Sequence, residues 1–186
     1  MIIKEAELSG LARRSRTIIN ESERRGFSFI TPSKEPTVFL SHKHEDTDEV
    51  KYVATILRAH HCDTIYIDWK DPQMQHATNR ETAEILREKI RGHKKFILVV
   101  TADSVKSPWC NWELGYGDAV KGEDVALFCL EQQDNDWRDH EYLQLYPTIE
   151  LREYNRFYDT TPGFIVVSRI NGQKHVESLT DWLHKQ

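Results

Sequence analysis

The chain has 186 residues, of which 39% are hydrophobic, 30% charged and 10% aromatic, a composition that supports one packed domain and excludes a disordered, collagen-like or coiled-coil chain. Its net charge of -5 disfavours a general nucleic-acid binder, which needs clustered Lys and Arg against phosphate. The apolar runs fall far short of the roughly 18 residues of a membrane-spanning helix, and Lys4, Glu5 and Glu7 interrupt any secretory leader, so no membrane span is expected and a cytoplasmic location is.

Residues 1–36 carry seven basic and five acidic side chains. Leu8, Leu11, Ala12, Ile18 and Ile19 recur there at near-helical spacing, which predicts an amphipathic helical extension. Two prolines within Thr31–Pro36 end it, and the main domain is expected over 37–186. Thr37–Ser41 reads as a strand, and Val50, Val53, Ala54 and Leu57 mark the apolar face of a helix. A second strand is expected over Thr64–Asp68, a polar loop over Trp69–Asn79, and a helix over Glu81–Arg91 stopped by Gly92. Lys95–Val100 is the third strand. Ser107-Pro108 supplies an N-cap and a first-turn proline for a third helix that Lys121-Gly122 closes, and Val125–Leu130 is the fourth strand. Further on, a helical turn near Tyr142–Leu145 and a short strand over Thr148–Leu151 are weaker features. Phe164–Ile170 and Gln173–Glu177 flank Asn171-Gly172, a dipeptide suited to a type I′ hairpin turn, before a capped terminal helix over Ser178–His184. Strands that alternate with helices, and are continuously apolar, predict a doubly wound, flavodoxin-like α/β domain: a parallel sheet with helices on both faces.

In such sheets ligands bind beyond the carboxyl ends of the strands, where strand order reverses. That rule selects the loops Ser41–Asp46, Asp68–Asn79 and Thr101–Ser107. The third helix adds Trp109, Cys110, Trp112, Glu113 and Tyr116, with Trp109 and Glu113 four apart on one face. A carboxylate among aromatic rings has a raised pKa and acts strongly on a developing cation. Spacing alone reads Glu113 equally well as a solvated acid in the first turns of a helix. Gly115 and Gly117 weaken a helix, so close packing or ligand approach is expected at them. No phosphate-cradling Gly-rich loop and no nucleophile elbow occur. His42 and His44, beside Glu45 and Asp46, lack a second ligand pair, so no metal site is expected. Cys62, Cys110 and Cys129 form no CxxC pair and read as free thiols. Cys110, near a helix start, is either a core thiol or one with a lowered pKa.

Val38-Phe39-Leu40-Ser41-His42-Lys43-His44-Glu45-Asp46 resembles the opening strand and loop of Toll/interleukin-1 receptor (TIR) domains. Ser104-x-x-Ser107-x-Trp109-Cys110-x-x-Glu113-Leu114 resembles their Ser-x-Trp-Cys-x-x-Glu motif. Asp68 and the polar loop after it match the position of the family's BB loop, without the Pro-Gly pair many members carry. The resemblance implies the TIR fold and, for bacterial and plant members, cleavage of the nicotinamide N-glycosidic bond of NAD+ with the motif glutamate, here Glu113, essential. It places Ser41, His42, Lys43, Asp68, Trp69, Ser104, Ser107 and Trp109 around the substrate, with NAD+ as substrate and no cofactor. Pyridinium nicotinamide leaves without protonation, so one carboxylate facing an oxocarbenium-like ribose suffices, whereas ordinary glycosidases need two acids. The product is ADP-ribose, a cyclic variant or a conjugate, according to the acceptor. A compact chain of this kind resembles the signal-producing component of Thoeris-type anti-phage systems, in which a separate effector senses the product, and homo-oligomers form as a neighbour's BB loop completes the site. Animal TIR domains act mostly as interaction modules and bacterial virulence effectors share the resemblance; a nucleoside deoxyribosyltransferase also uses a glutamate on a similar fold.

Overall fold

Continuous apolar runs place three strands at the centre of the sheet. The computed structural model describes residues 3–4, 7–10, 36–71, 79–131, 140–152 and 163–185. Its elements in chain order are β1 (Ile3–Lys4), β2 (Thr37–Ser41), α1 (Thr47–Ala59), β3 (Thr64–Tyr66), α2 (Asn79–Gly92), β4 (Lys95–Val100), α3 (Pro108–Lys121), β5 (Val125–Glu131), β6 (Thr148–Arg152), β7 (Gly163–Ile170), β8 (Gln173–Ser178) and α4 (Leu179–His184). The sheet runs β3-β2-β4-β5-β6-β7-β8. Its reversal point lies at β2, whose two neighbours are reached by chain segments leaving in opposite directions.

The expected parallel sheet is found from β3 to β6 and not beyond. β2 pairs in parallel with β3 and β4, β4 with β5, and β5 with β6, whereas β6–β7 and β7–β8 are antiparallel. Connection length gives the reason, since a parallel crossover needs a dozen or more residues. Only Asn171 and Gly172 join β7 to β8, with φ of 52° and 76°, the left-handed pair that a type I′ turn requires. The doubly wound domain therefore carries a hairpin as its far edge.

Helices cover both faces. On one, α1 and α4 set Val53, Leu57, Leu179 and Trp182 against Val38, Leu40, Ile97 and Phe128. On the other, α2 and α3 set Leu86, Ile90, Cys110 and Leu114 against Phe96, Leu98, Val100 and Leu127. Ile3 and Leu8 are buried in the first layer, and β1 pairs in parallel with Leu130 and Glu131 at the end of β5. The remainder of the expected amino-terminal helix, the 72–78 loop and the stretch containing Trp137 lie outside the described residues.

Two local departures have plain causes. The second strand ends at Tyr66, not Asp68, because its register with β2 ends at the Phe39–Tyr66 pair. Asp68–Lys70 turns into a short 3-10 helix in which the Asp71 N–H donates to the Asp68 carbonyl at 2.9 Å. In α3, Ser107 caps the start by accepting from the Cys110 N–H at 3.3 Å. A Cβ on Gly117 would lie 2.9 Å from the Phe96 ring, so close packing accounts for that glycine. Gly115 faces open space, and packing gives it no such reason.

Candidate active site

Parallel register brings the carboxyl ends of β2 and β4 to one edge, and α3 starts just beyond that edge. Glu113 lies on the sheet-facing side of α3 and is 6% exposed. Its partner comes from a residue 72 positions earlier in the chain: Ser41, the last residue of β2, donates its hydroxyl to Glu113 Oε2 at 2.5 Å. Next to it, His42 presents Nδ1 to the Leu40 carbonyl at 2.9 Å and Nε2 to Asp68 Oδ1 at 3.0 Å. Three polar side chains from two strand ends thus gather about one buried carboxyl group.

Burial pushes the Glu113 carboxyl up to about 7, against the Ser41 hydrogen bond, which lowers it; Asp68 raises it further and His42 lowers it. Burial pulls His42 down, but the neighbouring Asp68 carboxylate, with the Leu40 carbonyl, outweighs it, and the ring titrates above its ordinary value. The aromatic setting expected for Glu113 is different from the one found. Trp112 stacks on Tyr116, and Arg87 lies over both rings, at 5.3 and 5.9 Å, on the side where α2 packs. Trp109 is 41% exposed and meets Trp112 edge-on.

The remaining residues drawn from the sequence divide by role. Ser104 is fully buried: its hydroxyl accepts from the Thr101 N–H at 2.8 Å and donates to the Thr101 carbonyl at 3.2 Å. It shapes the loop. Ser107 is spent on the helix cap. Ser41 and His42 are buried beneath the edge, where they contact Glu113 and Asp68. Lys43 is half-buried and pairs with Glu45 at 3.3 Å. The Trp69 side chain lies outside the described residues. Cys110 is a core thiol pushed up to about 11 by burial, which overrides any lowering at the helix start.

Sequence reasoning selected the Thr101–Ser107 loop without singling out Thr101, which donates to Asp46 Oδ2 at 2.7 Å and accepts from the Ser104 N–H at 3.0 Å. Its only linear signal is that it directly follows the most apolar strand. At the opposite edge, where β5 and β6 begin, a groove of about 690 Å³ is lined by Asp124, Tyr146, Val166, Ile170, Trp182 and Lys185 among others. Behind it the buried Lys95 ammonium pairs with Asp124 and lies 4.8 Å from the Trp182 ring. Among the described residues no helix is long and apolar enough to cross a membrane.

Comparison with known proteins bears on this arrangement. The chain is 32% identical over 115 residues to "Probable 3' cyclic ADP-D-ribose synthase ThsB'" of Bacillus cereus (strain MSX-D12), covering 60% of this chain and 59% of that protein. It is 27% identical over 100 residues to "Putative cyclic ADP-D-ribose synthase TIR2" of Cytobacillus dafuensis, covering 52% of this chain and 25% of that protein. The matches span less than two thirds of either relative. The profile of the TIR domain matches residues 38–160. That span takes in the strand tip bearing Ser41, the turn bearing Asp68 and the helix bearing Glu113, and the chain belongs to the TIR domain family.

Proposed function

We propose that this chain cleaves the bond between nicotinamide and ribose in NAD+ and transfers the ADP-ribosyl group within the same molecule, making a cyclic ADP-ribose. The names of the two relatives support this reading. The observation that carries it is Glu113, a desolvated carboxyl group fixed by Ser41 at the switch point of a doubly wound sheet. Nicotinamide departs as a neutral ring with the electrons of the C–N bond, leaving positive charge on the ribosyl carbon. An acceptor oxygen or nitrogen then forms the new bond and loses its proton, or water does so to give ADP-ribose.

Ser41 occupies Oε2, which leaves Oε1 to meet the ribose. A fixed negative charge in a site of low polarity stabilises an oxocarbenium-like centre far more than it would in water. The leaving group is already cationic, so no second acid is required, and Asp68 pairs with His42 instead. The chemistry calls for no metal or cofactor. The bound pyridinium itself favours the ionised form of Glu113, because an opposite charge nearby lowers a carboxyl pKa.

The same reading makes the protein the signal-producing member of an anti-phage system, with a separate effector sensing the product. It includes a homo-oligomer in which a neighbouring copy's 69–79 loop closes the site. A cytoplasmic setting agrees with an NAD+ substrate and with free thiols at Cys62, Cys110 and Cys129.

The test is mass spectrometry of NAD+ incubated with concentrated protein. Wild type is expected to release nicotinamide and a cyclic product, and a folded Glu113→Gln variant to lose at least about 100-fold in rate. Undiminished turnover by that variant overturns the assignment of Glu113. Absence of turnover by wild type overturns the activity and leaves a docking module.

A further inference from the structure

A carboxylate is required at Glu113, yet Asp68 and burial both drive that group toward its neutral form. The ring whose charge opposes that drive is His42, which meets Asp68 at 3.0 Å. A carbonyl oxygen and a carboxylate oxygen can only accept, and His42 faces one of each, at 2.9 and 3.0 Å. A neutral imidazole has a single N–H and would set a bare lone pair against one of them. The His42 side chain is 2% exposed, so water does not relieve that clash. Nδ1 makes a hydrogen bond to the Leu40 carbonyl, whereas Nε2 meets Asp68 as a 3.0 Å ion pair outside hydrogen-bonding geometry, a contact that is favourable only when the ring is doubly protonated.

We propose that His42 is a positioning residue, held as an imidazolium by the Leu40 carbonyl and Asp68, and that it serves as the shared counterion that lets Glu113 and Asp68 be charged together. The consequence for catalysis rests on the NAD+ reading above, whereas the protonation state of the ring does not. Among the described residues, the groups that act on Glu113 are few. Ser41 arrives from β2, and Asp68 and His42 from the loops after β3 and β2. Cys110 on the same helix and Tyr66 on β3 are kept neutral by burial, which raises both. Without His42, the charge of Asp68, whose side chain is 30% exposed, acts on the buried Glu113 without the opposing charge of the ring, and Glu113, the more desolvated of the two, takes a proton. His42 therefore acts through Glu113 rather than on the substrate.

Three measurements on the full chain test this. In nitrogen-15 NMR at neutral pH, both ring nitrogens of His42 are expected to carry protons; a neutral tautomer overturns the proposal. In His42→Gln, the acid limb of the kcat/KM profile for NAD+ is expected to move up by about one pH unit. Adding Asp68→Asn removes the second charge, and the limb is expected to return toward its wild-type position. Loss of a fold contact predicts no such return, so a limb unmoved in folded His42→Gln, or unrestored in the double variant, overturns it. A carbon-13 titration of the Glu113 carboxyl in wild type and His42→Gln follows the same shift without turnover. A protein that leaves NAD+ intact but shows that shift refutes the proposed activity and upholds the role of His42.

Discussion

The two edges of the sheet differ in a way that separates a cavity from a site. The edge where β5 and β6 begin has the roomy groove of about 690 Å³ and exposed apolar side chains, with Leu145 78% and Ile170 51% exposed. Its most buried charge, Lys95, already has Asp124 as partner and Trp182 as cover. The edge where β2 and β4 end has tightly enclosed polar groups and a carboxyl group held far from its ordinary titration range. Volume measures where something fits. Where the strands begin, burial keeps His60 and Cys62 neutral, pulling the ring down to about 4 and pushing the thiol up to about 12; at the second edge the shifted group is a carboxyl, the kind that can meet a developing positive charge.

That contrast is open to direct attack. The largest expected effect is the loss of at least about 100-fold in NAD+ cleavage in Glu113→Gln. Next is stability. Glu113 titrates near 7 in the folded chain against an ordinary value of 4.5, so across that window the folded state keeps a proton that the unfolded chain releases. Stability attributable to this group therefore falls as pH rises from 4.5 to 7. Glu113→Gln, which does not titrate, should be more stable than wild type at pH above that window by about 3 kcal/mol, a gap that closes in acid and is read from urea melts at several pH values. Ser41→Ala should cost about tenfold in kcat/KM and move the acid limb upward, since a hydrogen bond to a charged group is worth ~1.5–3 kcal/mol at most. Ile170→Ser in the opposite groove should leave NAD+ turnover unchanged. A deficit there comparable to that of Ser41→Ala would abolish the distinction between the edges.

Most of the fold was legible because its signals are local. β2, β4 and β5 are continuous apolar runs, as strands buried on both faces must be, and Ser107-Pro108 and Asn171-Gly172 dictate a helix start and a turn by their own backbone chemistry. That the hairpin would join the same sheet was not legible, since no local pattern reports which edge a strand meets. The site divides similarly. Glu113 stood out by its motif and its place on a helix, but its companions did not. Periodicity put Trp112 and Tyr116 beside it, whereas α2 draws those rings to Arg87 and Arg91. The partners that matter come from strand ends and loops brought near by the β2–β4 register, as Ser41 does across 72 residues and Thr101 to Asp46 across 55.

Gly117 lies one helical turn beyond Glu113, on the same face, with the Phe96 ring filling the place of its missing side chain. The depth to which α3 settles on the sheet is thus set in the interior, by a phenyl ring that never meets a ligand. A wedge at that point would tilt the helix outward and stretch the 2.5 Å Ser41 contact. The reach of the acid is a property of the packing beneath it, so activity can be tuned by repacking residues that no inspection of the surface would select.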